Sequence, residues 1–265
     1  MGKTRLDALL VERGLYESRS RAAAAVMAGD VRLADTSGGR PAKPGHLVRA
    51  DVELLLARPA QYVSRGGIKL ARGLDALGLD PGGRRCLDVG AATGGFSDCL
   101  LQRGAAAVTA IDVGYGELAW GLRADPRVTV LERTNARALR PELLPYRPDL
   151  AVLDLSFISL VKVLGAVLAC LEGRFDALAL VKPQFELGPQ RVGGGGVVRD
   201  AEARREALVA VARHAREALG CAVLGFVSSG LPGPAGNRES FVWLAEAGRG
   251  GGVVDLERAA RSAEP

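Results

Sequence analysis

From residue 85 onward, short apolar runs alternate with helix-patterned stretches, and this alternation constrains the fold more than any other feature of the chain. Runs of strand length fall at 85–89, 107–112, 128–132, 150–153, 177–181, 222–228 and 241–244. Stretches with helical spacing lie between them, at 95–103, 160–171 and 201–218. Such alternation implies a parallel sheet with helices on both faces. Ligands of these sheets bind beyond the carboxyl ends of the strands, so the residues that close each run are the first candidates for chemistry.

The first run closes as Cys86-Leu87-Asp88-Val89-Gly90 and continues into Ala91-Ala92-Thr93-Gly94-Gly95-Phe96. Gly90 permits a tight turn, and Gly94 and Gly95 are expected to keep side chains out of a cofactor's way. The second run closes on Asp112, followed by Val113; an acid there accepts hydrogen bonds from the ribose hydroxyls of an adenosine cofactor. NAD and S-adenosylmethionine both meet that description. The turn is not GxGxxG, however. It lacks the second glycine that makes room for a pyrophosphate, which favours S-adenosylmethionine. Its adenosine would lie on the Asp112 side and its amino acid end near Gly90 and Asp88. Asn135, after the third run and beside Ala136, is placed to meet the adenine edge. Asp154 and Lys182 close two later runs, so an acid and an amine reach the same sheet edge, a pattern suited to group transfer.

Charge is unevenly placed. Residues 1–72 hold 13 Lys and Arg against 7 Asp and Glu, while the remainder holds 22 against 23, so the net charge of +5 comes from the first quarter. A localised basic excess points to a polyanion, most simply nucleic acid. In that quarter Thr4 and Asp7 have the spacing of a capping box. Leu6, Leu9 and Leu10 mark one helical face, and Gly14 ends the helix. A second helix is expected at 18–28, stopped by Gly29. Val31-Arg32-Leu33 begins a strand, 35–45 reads as a loop, 52–56 as another strand and 57–62, with Pro59, as a linker. Arg5, Arg19 and Arg21 lie off the apolar face, and arginine's planar fork suits phosphate oxygens.

A chain of 265 residues accommodates one large or two unequal domains, and 48% apolar content is enough for a packed core. The four cysteines form no CxxC pair and there are two histidines, so no metal site is expected. Cys86 and Cys170 sit in apolar runs and read as reduced core thiols. The first residues carry no apolar signal-peptide segment, and no stretch approaches the ~20 apolar residues that span a bilayer. A cytoplasmic protein is expected.

Two resemblances extend this reading. Residues 3–60 resemble the S4 RNA-binding domain through Arg5-Leu6-Asp7, Leu10, Gly14, Ser18-Arg19, Ala22 and Gly29-Asp30-Val31. Residues 62–245 resemble the FtsJ-like RNA 2′-O-ribose methyltransferases, and the whole chain resembles the TlyA family. The strings that carry this include Val63-Ser64-Arg65-Gly66, Asp112-Val113-Gly114-Tyr115-Gly116 and Glu132-Arg133-Thr134-Asn135-Ala136-Arg137. Further along are Asp154-Leu155-Ser156-Phe157-Ile158-Ser159, Val181-Lys182-Pro183-Gln184-Phe185-Glu186 and Leu231-Pro232-Gly233-Pro234.

The resemblance implies a Rossmann-like α/β methyltransferase domain at 61–247 behind a small S4-like α+β domain at 1–60, with 248–265 a flexible tail holding a short helix near 253–261. It implies a catalytic set of Lys69, Asp154, Lys182 and Glu239. A ribose hydroxyl must lose its proton as it attacks, and a second ammonium beside a lysine disfavours that lysine's charged form. Lys69 would thus help Lys182 act as base, with Asp154 and Glu239 orienting the amines. Arg65, Arg133 and Arg137 are expected on the RNA backbone. The family pattern has a lysine after the glycine at 188; here Pro189 follows, and Arg191 is the replacement cation expected to meet RNA. Glycines 193 to 196 read as a lid or a mobile loop. The implied substrate is the cytidine 2′-hydroxyl of 16S or 23S ribosomal RNA, or both, in ribosomal subunits. An S4-type assembly factor without catalysis is the alternative, opposed by the intact four-residue set. A membrane-active hemolysin and a dehydrogenase are further alternatives.

Overall fold

The computed structural model describes residues 3–16, 18–34, 40–56 and 61–264, and the chain divides into two units at Gln61 and Tyr62. The first unit runs β1 (Lys3–Arg5), α1 (Leu6–Glu12), α2 (Arg19–Ala28), β2 (Val31–Leu33), β3 (Arg40–Pro41), β4 (Leu47–Arg49) and β5 (Leu54–Leu56). β1 pairs with β4, and β2 pairs with both β3 and β5. Leu6, Leu9 and Leu10 of α1 meet Ala22 and Val26 of α2 and Val31, Leu33 and Val48 of the strands in one core.

The capping box expected at Thr4 is not formed. Thr4 pairs with Val48, which holds its backbone extended, and no side chain caps α1. Asp7 accepts from Arg5 and Arg19 instead. α2 is capped as its sequence suggests: Ser18 Oγ accepts from the Arg21 amide, and Gly29 ends the helix at φ 86°. The linker residues 57–60 lie outside the described residues.

The second unit runs α3 (Arg65–Leu77), β6 (Arg85–Val89), α4 (Gly95–Gln102), β7 (Ala107–Ile111), α5 (Trp120–Arg123), β8 (Val128–Leu131), β9 (Leu150–Leu153), α6 (Leu164–Leu168), β10 (Asp176–Val181), α7 (Pro183–Glu186), α8 (Ala201–Glu217), β11 (Ala222–Ser228), β12 (Ser240–Ala245) and α9 (Leu256–Ala263). The seven strands make one sheet in the order β11-β12-β10-β9-β6-β7-β8. Strands from β10 to β8 are parallel, whereas β12 runs antiparallel between β10 and β11. The parallel sheet expected from the alternation is present in these five strands, and β12 is the reversal that the alternation did not reveal. The link from β11 to β12 contains no helix, and a parallel pairing would need a crossover.

Both sheet faces are covered. Leu70 and Leu74 of α3 and Leu100 of α4 pack on one face with Phe241. Leu208, Val211 and Ala212 of α8 pack on the other with Leu87, Leu153 and Val242. All four cysteines are buried and free, and burial pushes the Cys86 thiol up to about 12.

Two further expectations change. The helix read at 160–171 is a 3₁₀ turn at Leu160–Lys162, capped by Ser159, followed by α6 after a break at Val163 (φ −120°). The tail is not loose through 253–264: Val253 donates to the Val223 carbonyl, Leu256 and Ala260 are buried, and buried Glu264 accepts from Arg204. No helix among the described residues is long and apolar enough to cross a membrane.

Candidate active site

The carboxyl ends of β6, β9 and β10 deliver Gly90, Asp154 and Lys182 to one sheet edge. Because β12 is reversed, its start lies beside the end of β10, with Ser240 opposite Val181. Glu239 therefore reaches the same edge from the other direction. Lys69 arrives on α3, a helix that the strand pattern did not reveal. A cavity of about 420 Å³ is lined by all four residues, together with Ser64, Arg65, Ser156, Pro232 and the turn at 90–93.

The four charged groups form two pairs. Lys69 Nζ donates to Glu239 Oε2, with both side chains buried. Lys182 Nζ lies 2.7 Å from Asp154 Oδ1, an ion-pair contact without hydrogen-bond alignment, while its aligned hydrogen bond goes to Ser156 Oγ at 2.9 Å. Each lysine thus has its own counter-charge. The expected crowding of Lys182 by Lys69 is balanced by Asp154 and Glu239.

The glycine turn does its work differently from expectation. A Cβ on Gly94 would strike Leu118 and Leu122, and one on Gly95 would strike Ser64 Oγ. Both glycines admit close protein neighbours, and Gly95 also lines the cavity. Gly90, at φ 86°, lies so close to the Asp154 carbonyl that a Cβ would stand 2.6 Å from it. Asp88 lies beneath the turn, fully buried, where Oδ2 accepts from the Ser97 amide and hydroxyl. Burial raises its carboxyl to about 7, and it does not face the cavity lining.

A second lobe of about 270 Å³ shares Gly90, Ala92, Asp154 and Ser156 with the first, and adds Ile111, Asp112, Val113, Thr134, Ala136, Leu155 and Phe157. Asp112 accepts from the Ala92 amide at 2.8 Å and the Gly114 amide at 2.7 Å, so it ties the turn to the end of β7. Asn135 is turned to the backbone: its Oδ1 accepts from the Arg137 amide, and Thr134 and Ala136 line the lobe in its place. Among the described residues, three non-glycine residues have positive φ: Ala92, Arg133 and Phe157. Ala92 and Phe157 line the lobe, and such conformations cluster where structure serves a site.

The arginines are spread out. Arg65 lines the first lobe and donates to the Pro232 carbonyl. The Arg133 guanidinium stacks 4.5 Å over the Tyr115 ring, and exposed Arg137 lies beside it in sequence. Arg191 pairs with Glu206 of α8 and is not among the cavity residues. Arg5 and Arg19 flank Asp7 in the first unit, where Arg21 lies in the first turn of α2. The glycine run is fastened at its end, since Asn237 Nδ2 donates to the Gly196 carbonyl and its Oδ1 accepts from Val198. Sequence reasoning did not single out Ser64 or Ser156 as site residues, although both stand inside the quoted motifs.

Residues 62–246 match the model of the FtsJ-like methyltransferases. A TlyA protein of Mycobacterium tuberculosis, named a 16S/23S rRNA (cytidine-2′-O)-methyltransferase, is 52% identical over 91% of this chain and 90% of its own. The chain belongs to the TlyA family of FtsJ-like methyltransferases. The Bacillus subtilis relative YqxC, provisionally named an rRNA methyltransferase, is 43% identical to this TlyA-family chain over 94% of it and 88% of its own length. A solved structure from Streptococcus thermophilus, with a provisional hemolysin name, has a TM-score of 0.74 at 37% identity, covering 99% of this chain and 96% of that one. The TlyA-family chain is therefore a methyltransferase with the Rossmann-like α/β fold of that class.

Proposed function

We propose that this chain transfers a methyl group from S-adenosylmethionine to the 2′-hydroxyl of a cytidine ribose in ribosomal RNA, in the 16S molecule, the 23S molecule or both. One observation carries the reading: Asp154 and Ser156 line both of two adjacent lobes that suit two substrates, and Lys182, which lines the first, contacts them both. The donor set of the second lobe fits an adenosine, with Ile111, Ala136 and Leu155 offering apolar surface and Asp112 a carboxylate for ribose hydroxyls. When bound there, S-adenosylmethionine supplies an electrophilic methyl on a sulfonium, which becomes a neutral thioether as the oxygen–carbon bond forms.

The residues of the chain handle the proton and the geometry. The Lys182 amine takes the 2′-hydroxyl proton as the general base. Asp154 balances the charge that Lys182 then carries. Lys69, fixed by Glu239, presents a cation where negative charge develops on the attacking oxygen. Arg65, Arg133 and Arg137 grip the RNA near the site, and Arg5, Arg19 and Arg21 of an S4-like first unit supply a further grip. Arg191, paired with Glu206, is the weakest of the expected contacts. Ribosomal subunits as substrate place the protein in the cytoplasm.

The test is transfer of labelled methyl from S-adenosylmethionine to purified, unmethylated bacterial ribosomal subunits, followed by nuclease digestion and mass spectrometry, with wild type beside Lys182→Ala. Label on cytidine 2′-oxygens that disappears in the variant supports both the reaction and the base. Label on a base carbon or nitrogen overturns the reading.

A further inference from the structure

Lys182 Nζ has two polar neighbours supplied by one short segment. Asp154 Oδ1 is 2.7 Å away and Ser156 Oγ 2.9 Å away, and all three residues line the first lobe. A neutral amine has two hydrogens and one lone pair in tetrahedral directions. Ser156 takes one hydrogen in an aligned bond and the Asp154 carboxylate stands beside the nitrogen as its counter-charge, which leaves the remaining direction to the cavity that all three line. With Asp154 alone, the amine can turn about its terminal bond and present a hydrogen to the substrate instead.

The segment carrying Ser156 is held from behind. Glu186, at the end of the short helix that follows Lys182, accepts from Ser159 Oγ at 2.5 Å and from the Leu160 amide at 2.8 Å. Between Ser156 and these anchors, Phe157 has φ 64°, is 91% exposed and has its ring 5.3 Å from that of Phe185. This conformation turns the backbone sharply just after Ser156. Ser156 is itself exposed, and its hydroxyl does not serve the packed core.

We propose that Ser156 is a positioning residue for methyl transfer: it accepts from the Lys182 amine and aims the third direction of that nitrogen at the ribose hydroxyl. The assignment rests on the proposed 2′-O-methylation. It gives the hydroxyl a role in the rate of the chemical step and not in holding either substrate.

The experiment compares wild type, Ser156→Ala and Ser156→Thr on unmethylated bacterial small and large ribosomal subunits. It measures kcat, KM for RNA, the Kd for S-adenosylmethionine and the urea midpoint of each protein. Ser156→Ala is expected to lower kcat about tenfold, the scale of one misdirected hydrogen bond at a reacting centre. KM, cofactor Kd and urea midpoint should stay within about twofold or unchanged. Ser156→Thr keeps the hydroxyl at an exposed position, so it should recover most of the rate. An active wild type with an equally active Ser156→Ala overturns the proposal alone. So does a loss confined to KM or cofactor binding, or a threonine variant as slow as alanine. A wild type that modifies no ribose overturns the proposal together with the reaction on which it rests.

Discussion

Lys69 Nζ stands 2.5 Å from Glu239 Oε2, and the two side chains are only 8% and 1% exposed. The pair joins α3 to the reversed strand across 170 residues of chain. Removing one partner of such a pair leaves a buried charge alone, which costs about 3–5 kcal/mol, whereas replacing both with apolar residues is often close to neutral. Lys69→Met and Glu239→Leu are therefore each expected to lower unfolding free energy by that amount, and the double variant to recover most of it. Urea titration measures this. All three should lack methyl transfer, so the double variant separates stability from catalysis.

Gly95→Ala tests the close approach of α3 to α4. Its new methyl would meet Ser64 Oγ and lie 2.9 Å from the Gly67 amide nitrogen. Ser64 opens α3 and lines the cavity, so relief of the clash must move that helix start. A loss of about 1–3 kcal/mol in urea titration is expected, the usual cost of overpacking. Activity should fall beyond what the fraction unfolded explains, because α3 carries Lys69.

Asp88 sets a pH dependence of stability with an unusual sign. Burial holds its carboxyl at about 7, well above the ordinary 3.8. Between those values the folded protein keeps a proton that the unfolded chain releases, so stability falls as pH rises from about 4 to about 7 and then levels off. Glu186 is shifted in the same direction by burial, so the slope must be read as a difference between proteins. Asp88→Asn should remove its share of the slope in urea titrations across that range. An unchanged slope would show that Asp88 is ionised in the folded protein at pH 5.

Asp7 acts in the opposite sense. The Arg5 guanidinium, and then Arg19, hold its carboxyl down to about 2. This contribution is fully present above about pH 4 and is lost as pH falls through about 2. Protection of α1 and α2 amides in the full chain should drop between pH 5 and pH 2.5. In Asp7→Asn it should be low at pH 5 already and change little on acidification.

Much of the large unit was legible because its strands are short apolar runs closed by residues of different chemistry. Gly90, Asp112, Asp154 and Lys182 could be placed at one edge by counting alone. The two ion pairs could not, because which carboxylate meets which lysine depends on α3 and on the direction of β12. Neither follows from a period of two or of 3.6. The protein neighbours of Gly94 and Gly95 were illegible for a related reason: a glycine reports that something comes close, and not what. Thr4 had the spacing of a cap, but its pairing with Val48 lies 44 residues away and overrides the local signal. The spacing that marked Asn135 likewise did not reveal its local bond, in which Oδ1 accepts from the next amide but one.

The reversal of β12 has a consequence for how the protein comes into being. Chain synthesis delivers Lys69, the glycine turn, Asp154 and Lys182 in order, yet Glu239 and the strand that seats it emerge only near residue 245. Until then Lys69 has no counter-ion and the sheet ends at β10 on that side. The last strand made is inserted between the last parallel strand and β11, so the growing chain carries an incomplete site for most of its length. A chain released before residue 239 would lack Glu239 and β12 together, and with them both the counter-charge of Lys69 and the seat of the proposed methyl transfer.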